Sequence, residues 1–354
     1  MLSVVAMSGG VDSSVAAALT AERAGAGETL GISLRLYSTD EHAVRSGRSC
    51  CAPDDLYDAR RAATALGIRF YVYDARERFR SEVIDDFIRS YSEGRTPNPC
   101  VRCNDQVKFD WLLNRARVLG AGELVTGHYA RVEQGADGRW QLLRARDAAK
   151  DQSYFLHGLT QEELSFVRFP LGELTKSQVR ELARARGLPN ADKPESMEVC
   201  FVAGRPVAEF LETHGVRPAR GDIVDMAGRV LGEHDGIHRF TPGQRQGLGI
   251  SHRLPLYVAS LDPAHQRVVV GSREEVARSS FRALSASWVA EPPVGGASCE
   301  VQIRHRGRPL PADVVAAPDG SVEVLLREPA VGVAPGQSAV FYRGEKVLGG
   351  ARIA

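Results

Sequence analysis

The chain has 354 residues, 43% of them hydrophobic and 25% charged, which is typical of a globular protein with two or three domains. The formal net charge of +1 gives no global support for a nucleic-acid partner, so an RNA-binding surface has to be local. There is no long apolar run and no signal-peptide pattern, and we therefore expect a cytoplasmic protein without membrane association, whose six cysteines are reduced.

The first predicted elements are a strand, a glycine turn and a helix. Residues 2–7 form an apolar run typical of a buried strand, and residues 12–21 have the pattern of a helix with polar residues in its first turn. Between them, Gly9 and Gly10 allow a tight turn and a close approach of backbone to a ligand. Free N–H groups and the helix dipole make such a junction an anion site.

The residues of this turn narrow the choice of anion. Residues 8–13, Ser-Gly-Gly-Val-Asp-Ser, match neither the Walker A pattern nor the dinucleotide-binding GxGxxG pattern, and they include no lysine. The run resembles the PP-loop of the ATP pyrophosphatases, which split ATP between its α- and β-phosphates. That resemblance implies ATP with Mg²⁺; an ordinary Gly-Gly turn is the alternative.

The pattern up to residue 204 alternates between strands and helices. Further strands are predicted at residues 30–36, 69–73 and 123–129, and helices at 54–66, 82–91, 111–119 and 177–186. This alternation predicts an α/β fold, with a parallel sheet, helices on both faces and ligands at the carboxyl ends of the strands.

The remainder of the chain has a different pattern. Short strands and glycine turns begin at residue 205, and clear two-residue alternation runs from residue 279. We therefore predict a catalytic domain over residues 1–204, a small β-rich linker domain over 205–278 and a C-terminal β-barrel over 279–354.

Residues 96–104, Thr-Pro-Asn-Pro-Cys-Val-Arg-Cys-Asn, contain two cysteines and two prolines. The prolines predict a stiff loop before a helix that starts near residue 108. Arg102 and the helix N-terminus would favour the thiolate of Cys103. A third cysteine, Cys200, lies further along the chain. Three interpretations of these cysteines stay open at this point: half of a zinc site, a redox pair, or a pair of nucleophiles.

The ordered set of motifs is similar to one family over essentially the whole chain, the tRNA-specific 2-thiouridylases (the MnmA family). The motifs in this ordered set are the runs at residues 8–14, 96–104, 126–129, 150–156, 200–201, 243–249 and 335–342. The resemblance implies a PP-loop domain of the adenine nucleotide α-hydrolase type, followed by the linker domain and the barrel. It further implies ATP-dependent 2-thiolation of the wobble uridine of tRNA, through adenylation of its C2 oxygen and sulfur transfer from a cysteine persulfide.

The same resemblance implies the site residues. Cys200 corresponds to the persulfide carrier and Cys103 to the second nucleophile. The implied ATP contacts are Ala6, Met7, Ser8, Gly9, Gly10, Val11, Asp12, Ser13, Leu34 and Gly127. The implied RNA contacts are Lys150, Asp151, Gln152, Arg304 and His305, the last two in a local basic patch. Sulfur would come from a cysteine desulfurase or a relay protein, and we expect a monomer.

Cys100 departs from the family pattern, because some members have an aspartate there. An alternative interpretation is therefore a [4Fe–4S] cluster held by Cys100, Cys103 and Cys200, with one open iron. Cys50 and Cys51 are either an acceptor site for incoming sulfur or loop thiols without function, and Cys299 is expected to be a buried apolar residue. Two other functions stay open: a different PP-loop sulfurtransferase or amidotransferase, and an RNA- or nucleotide-binding protein with a structural metal at the three cysteines.

Overall fold

The structure is a computed structural model, and it describes residues 1–37, 53–195, 199–202 and 204–354. Cys50 and Cys51 lie outside the described residues, so the predictions for them stay predictions. The chain divides into two compact units. The first comprises Met1–Val83, Cys100–Gly204 and Glu345–Val347, and the second comprises Ile84–Pro99, Arg205–Gly344 and Leu348–Ala354.

A parallel sheet forms the centre of the first unit. The strands of this unit are β1 (Ser3–Ala6), β2 (Thr29–Arg35), β3 (Arg69–Asp74), β4 (Glu123–Thr126), β5 (Arg131–Gln134), β6 (Trp140–Leu143) and β7 (Val167–Arg168). Five of them lie in the order β3-β2-β1-β4-β7, with every neighbouring pair parallel. The other two, β5 and β6, form an antiparallel hairpin.

The helices follow the alternation that the sequence predicts. They are α1 (Val11–Ala24), α2 (Pro53–Ala65), α3 (Arg76–Phe79), α4 (Asp85–Ser92), α5 (Pro99–Cys103), α6 (Leu113–Val118), α7 (Gln161–Phe166), α8 (Lys176–Ala185), α9 (Val207–Thr213) and α10 (Arg273–Val276). Two π-helical segments, Arg80–Ile84 and Asn104–Leu112, follow α3 and α5. Three 3₁₀ turns are at Ala26–Glu28, Ser153–Leu156 and Ile237–Arg239.

Strand β1 is covered on both faces of the sheet. Consecutive side chains of a strand point to opposite faces, and both Val4 and Val5 are completely buried. Helix α1 belongs to two core clusters, one shared with α2 through Ala59 and one shared with α8 through Val179. Burial on both faces explains why the strand reads as a continuous apolar run rather than an alternating one.

The parallel register places several predicted site residues at one edge of this sheet. Ala6 lies beside Ile32 of β2 and Thr126 of β4, so the residues that follow all three strands emerge together. This edge is the carboxyl end of the strands, where open α/β sheets bind ligands.

The second unit contains two β structures. Strands β8 (Gly221–Val224), β9 (Val230–His234), β10 (Tyr257–Asp262) and β11 (Arg267–Gly271) form a sheet in the order β10-β11-β8-β9. The others are β12 (Arg278–Trp288), β13 (Ala297–Gln302), β14 (Leu310–Ala316), β15 (Val322–Ala330), β16 (Ser338–Arg343) and β17 (Lys346–Ile353). These six pair in the order β12-β15-β14-β13-β16-β17, and β12 also pairs with β17, which closes a barrel.

The predicted fold class is confirmed, with differences at some helix boundaries. The helix predicted from residue 82 begins at Arg76, and a π-helical segment precedes the one predicted from residue 111. Both regions lack a regular 3.6-residue apolar stripe, because π-helical turns shift the buried face. Among the described residues, no helix is both long and apolar enough to cross a membrane.

Burial of β4 generates a stability prediction. Leu124 is completely buried in the sheet, whereas Leu119, just before this strand, is 41% exposed. Leu124→Ala should lower the free energy of unfolding by about 2–5 kcal/mol, because it removes apolar contacts and leaves a cavity. Leu119→Ala is the matched control and should change it by less than about 1 kcal/mol. Urea unfolding followed by circular dichroism measures both, and equal effects would contradict the assigned burial.

Candidate functional site

The glycine loop (residues 8–13) connects β1 to α1 through a backbone conformation that only glycine adopts easily. Gly9 has φ of +79°, and a Cβ atom there would lie 2.1 Å from the carbonyl oxygen of Asp55. Gly10 has φ of −81°, and the nearest atom to a Cβ there would be Ser8 Oγ at 3.7 Å. The first glycine is therefore required by the turn and by the close approach of α2, and the second is not.

Serine side chains fasten the loop to the first turn of α1. The Ser13 hydroxyl accepts a hydrogen bond from the Ser8 amide at 3.1 Å and donates to the Gly10 carbonyl at 3.0 Å. Gly10 is the N-cap of α1, and none of the side chains that the structure describes caps the helix there. The backbone N–H groups of the first turn therefore point outward without a side-chain cap, as an anion site requires.

Asp12, in the first turn of α1, is the start of a network of charged groups. The Lys176 ammonium, at the first position of α8, donates to its two carboxylate oxygens at 2.7 and 2.8 Å. The Tyr129 hydroxyl donates to the same carboxylate at 2.8 Å. Lys176 also pairs with Glu195 at 2.8 Å, and Glu195 pairs with Lys150 at 2.6 Å. We call Lys150, Glu195, Lys176 and Asp12 the charge network.

A second lysine and an asparagine hold the other side of the glycine loop. Asn190, which is buried, donates its amide hydrogens to the Gly9 carbonyl and to Ser14 Oγ, both at 2.9 Å. The Lys193 ammonium contacts the Gly9 carbonyl at 3.4 Å and pairs with Asp55 at 2.5 Å and with Asp58 at 2.6 Å. The glycine loop is thus hydrogen-bonded to the segment at Asn190 and Lys193, and Lys193 pairs this segment with α2.

Gly127, the first residue after β4, lies directly against the beginning of α1. A Cβ atom at this position would lie 2.7 Å from the Ser13 amide nitrogen and 2.8 Å from the Asp12 carbonyl carbon. Leu34 lies near the end of β2 and is partly buried. The ATP contacts predicted at Ala6, Met7 and Val11 lie in β1, at its end and at the start of α1. The structure therefore brings the predicted nucleotide-binding residues to one edge of the sheet.

The cysteine segment differs from the predicted loop. Pro99 begins helix α5, so Cys100 and Cys103 lie inside helical turns and not in a stiff loop before a helix. The reason is that a proline at the first helical position has the φ that a helix needs and loses no hydrogen bond. Cys103 is the last residue of α5 and is buried, whereas Cys100 is exposed. The prediction that Cys103 lies close to a helix N-terminus is therefore wrong, because helix α5 begins at Pro99 and Cys103 is its last residue.

Aromatic packing connects Cys200 to the carboxyl edge of the sheet. The Tyr37 hydroxyl, two residues beyond β2, donates to the Cys200 carbonyl at 3.0 Å. The Phe79 ring centroid lies 5.7 Å from that of Phe201 and 6.2 Å from that of Tyr37. The segment after α3 also accepts two hydrogen bonds from Arg102, through the backbone and side-chain oxygens of Glu82. The segments that carry Cys103 and Cys200 therefore contact the same helical region, residues 76–83.

The three cysteines do not form a cluster site in this arrangement. Among the residues that the structure describes, no group of three His, Cys, Asp or Glu side chains is placed to hold a metal ion. A [4Fe–4S] cluster needs the sulfur atoms of its cysteine ligands to surround one small volume. The residues present at Cys100, Cys103 and Cys200 thus do not fit the iron–sulfur alternative. The partly buried Cys299, in β13, is consistent with the expected apolar role, since burial raises the pKa of its thiol to about 11.

The predicted RNA contacts have different surroundings. The Asp151 carboxylate is used within its own loop, where it pairs with Arg144 and accepts hydrogen bonds from Ala145 and Ser153. The Gln152 side chain accepts from the Tyr129 amide at 3.0 Å. Lys150 is the member of this run that belongs to the charge network. In the second unit, Arg304 and His305 lie in the turn between β13 and β14, and Arg304 is exposed.

Two partly buried groups near the site have strongly shifted pKa values. Burial lowers the pKa of His128 well below its usual value, so this imidazole is neutral, and it lies 2.7 Å from Thr126 Oγ1. Burial, helped by the nearby Glu163 carboxylate and opposed by Arg102, raises the pKa of Asp105 to about 7. Asp105 is two residues beyond Cys103 and packs against the Gly158 backbone, where a Cβ atom would lie 2.5 Å from its Oδ1.

Sequence reasoning missed four residues of the site: Lys176, Asn190, Lys193 and Glu195. Lys176 begins a helix that the sequence predicts, but nothing in its spacing indicates that it faces Asp12. The run from Asn190 to Glu195 has no periodicity and reads only as a loop. The one signal available was the absence of lysine from the glycine loop, which implies that cations must come from elsewhere in the chain.

Together, the parallel sheet, the glycine loop and the uncapped helix define a nucleotide-binding protein of the PP-loop class. Comparisons with known proteins agree. Residues 1–204 match a family model described as "tRNA methyl transferase HUP domain", residues 208–272 one described as "tRNA methyl transferase PRC-barrel domain", and residues 278–353 one described as "Aminomethyltransferase beta-barrel domain".

Relatives are similar over nearly their full length. A tRNA-specific 2-thiouridylase MnmA of Geobacter metallireducens is 49% identical over 351 residues, which cover 98% of this chain and 95% of that protein. One of Chloroflexus aurantiacus is 48% identical over 353 residues, 99% of this chain and 98% of that protein. This chain belongs to the family of tRNA-specific 2-thiouridylases, and the predicted family and enzyme class are confirmed.

A more distant likeness was found among solved structures. The NMN synthetase of Francisella tularensis is 20% identical, with a TM-score of 0.34 over 60% of this chain and 76% of that chain.

The two glycines of the loop give a matched pair of variants. Gly9→Ala should lower the free energy of unfolding by about 1–3 kcal/mol or more, because it places a Cβ at positive φ against the Asp55 carbonyl. Gly10→Ala should change it by less than about 1 kcal/mol, because its conformation and surroundings accept a Cβ. Thermal unfolding without nucleotide measures both, and an equal loss in the two variants would contradict the loop geometry.

The raised pKa of Asp105 predicts a pH-dependent cost to stability. Below the unfolded pKa both states are protonated, and as pH rises to about 7 only the unfolded state ionises, so stability falls. Asp105→Asn removes this ionisation. It should be close to neutral at pH 4 and stabilising by on the order of 1 to 3 kcal/mol at pH 8. Urea unfolding at the two pH values tests this, and a difference from wild type that is the same at both would refute it.

Proposed function

We propose that this protein catalyses ATP-dependent 2-thiolation of the wobble uridine of tRNA, releasing AMP and pyrophosphate. One observation carries the proposal: Tyr37 binds the Cys200 backbone at the sheet edge where the glycine loop lies. An activating nucleotide and a sulfur nucleophile would therefore act on one carbonyl group of the substrate. The names of the relatives support tRNA as the substrate.

The residues at the loop fit an ATP phosphate chain. The uncapped N–H groups of α1 would bind phosphate oxygens, and Lys176 and Lys193 supply positive charge that the loop itself lacks. Bound Mg²⁺ would offset the triphosphate charge, and the Asp12 carboxylate would hold it. The proposed nucleotide contacts are those predicted at residues 6–13 and at Leu34 and Gly127.

In the proposed reaction, the C2 oxygen of uridine attacks the α-phosphorus, and pyrophosphate leaves. This step converts a poor leaving group into AMP. The terminal sulfur of a Cys200 persulfide then attacks C2, and AMP departs with the former C2 oxygen. The Cys103 thiolate then attacks Cys200 Sγ and breaks its bond to the sulfur now carried by C2, so that 2-thiouridine leaves. A Cys103–Cys200 disulfide is left, which an external thiol must reduce.

The partners and location remain part of the proposal. Lys150 and the turn at Arg304 and His305 would contact RNA phosphates, and the target uridine would be turned out of its stack to reach the sheet edge. A cysteine desulfurase or a sulfur-relay protein would load Cys200. We propose a cytoplasmic monomer, with domain boundaries near residues 204 and 278.

Substitutions of single cysteines test the proposal. Cys103→Ser and Cys200→Ser should each lower the yield of 2-thiouridine at least about 10³-fold, because serine can neither carry nor release the sulfur. Both variants should still release pyrophosphate with tRNA in a single turnover, since activation precedes sulfur transfer. The assay is mass spectrometry of nucleosides from tRNA incubated with ATP, a cysteine desulfurase with its cysteine substrate, a thiol reductant and each variant.

Cys299→Ser is the matched control, because it removes a thiol from the barrel and should leave the yield unchanged. Failure of the wild-type protein to convert ATP to AMP with tRNA would overturn the proposed function. Full thiolation by Cys200→Ser would overturn the assigned persulfide carrier.

A further inference from the structure

Glu195 joins two cations that belong to different parts of the site. Its Oε2 accepts a hydrogen bond from Lys150 at 2.6 Å, and its Oε1 pairs with Lys176 at 2.8 Å. Lys150 begins the run predicted to contact RNA. The Lys176 ammonium donates hydrogen bonds to the Asp12 carboxylate of the glycine loop. One carboxylate therefore connects the RNA-binding run to the nucleotide-binding loop.

The four groups of the charge network alternate in sign, from Lys150 through Glu195 and Lys176 to Asp12. Their side chains are partly buried, with exposed fractions of 28%, 26%, 12% and 32% in that order. Burial would raise the pKa of Glu195, but hydrogen bonds from Lys150 and Lys176 lower it to about 2, so the carboxylate is ionised at neutral pH. At such sites the ion pairs are screened less than surface pairs, and a change at one end alters the balance at the next.

We propose that Glu195 is a positioning residue that couples RNA binding at Lys150 to nucleotide binding at Asp12. The inference rests on the proposed function, because it requires tRNA and ATP as the two ligands. It adds a coupling between their sites that neither the glycine loop nor the cysteines provide.

The coupling follows from competition for ion pairs. An RNA phosphate that binds Lys150 withdraws this cation from Glu195. Glu195 then has Lys176 as its remaining partner in the network and attracts it more strongly. Lys176 in turn binds Asp12 less tightly, so the Asp12 carboxylate is more available to the cation that accompanies ATP. Binding of tRNA is thus expected to raise the affinity for Mg²⁺–nucleotide, and by linkage nucleotide raises the affinity for tRNA.

The test is isothermal titration of the full chain with the Mg²⁺ complex of α,β-methylene-ATP, with and without a saturating tRNA transcript that has a wobble uridine. In the wild type, tRNA should lower the Kd of the nucleotide analogue about fivefold or more. In Glu195→Gln the ratio should fall to within about twofold, because a neutral amide no longer attracts both ammonium groups. Glu195→Asp, which retains the charge, should restore part of the ratio.

Lys150→Met provides a readout that a purely structural role would not affect. It should lower the Kd of the nucleotide analogue without tRNA, towards the value that the wild type reaches with tRNA, because the lost cation imitates its withdrawal. Glu22→Gln is the matched control: it removes a carboxylate that pairs with Arg186, just beyond the other end of α8, and should keep the wild-type ratio. Thermal midpoints of all variants show that each is folded.

Wild-type coupling that persists in Glu195→Gln, or an unchanged nucleotide Kd in Lys150→Met, would overturn the inference and leave the proposed function intact. Absence of tRNA binding by the wild type would overturn both.

Discussion

The close approach of the Gly9 backbone to the Asp55 carbonyl is the constraint on which the site depends. With a Cβ-bearing residue at this position, α2 and the loop cannot both keep their places. The turn directs the chain from β1 into α1 so that the first N–H groups of the helix face the carboxyl edge of the sheet. Glycine is also required at position 127, after β4, because a Cβ there would meet the backbone of Ser13 at the start of α1. Close backbone approaches at Gly9 and Gly127 therefore shape this edge of the sheet, together with the side chains that hydrogen-bond to the loop.

Charged side chains from outside the glycine loop add to this backbone geometry. An anion site formed by N–H groups alone gives little discrimination among phosphates, and the loop has no lysine of its own. Lys176 in α8 and Lys193 in the segment before Cys200 bring positive charge to the loop, and each pairs with carboxylates. Such pairs keep the cations close to the loop without leaving buried charges unpaired, which would cost several kcal/mol each.

The cysteines show how packing assigns different roles to similar residues. Cys100 and Cys103 are three positions apart in one helical turn, yet one is exposed and the other buried. Their neighbours Arg102 and Phe201 bring the segments of Cys103 and Cys200 to residues 76–83, while Cys100 is exposed. The proposed pair of nucleophiles, Cys103 and Cys200, requires only that these two segments lie near each other. The arrangement does not suit three ligands that must hold one cluster permanently.

The sequence by itself determined the α/β fold, the closed barrel, the glycine loop and the family. These depend on local periodicity, on turn residues and on an ordered set of motifs, all of which can be read along the chain. Only the tertiary structure decided which cations serve the loop. Asp12 and Lys176 are 164 positions apart, and Asn190 reaches Gly9 across 181. Such contacts arise from the packing of α8 on α1, and no short-range pattern encodes them. The helical state of Cys103 was also decided there. Pro99 is compatible with both a loop and a helix start, and the hydrogen bonds of Arg102 to Glu82 favour the helix.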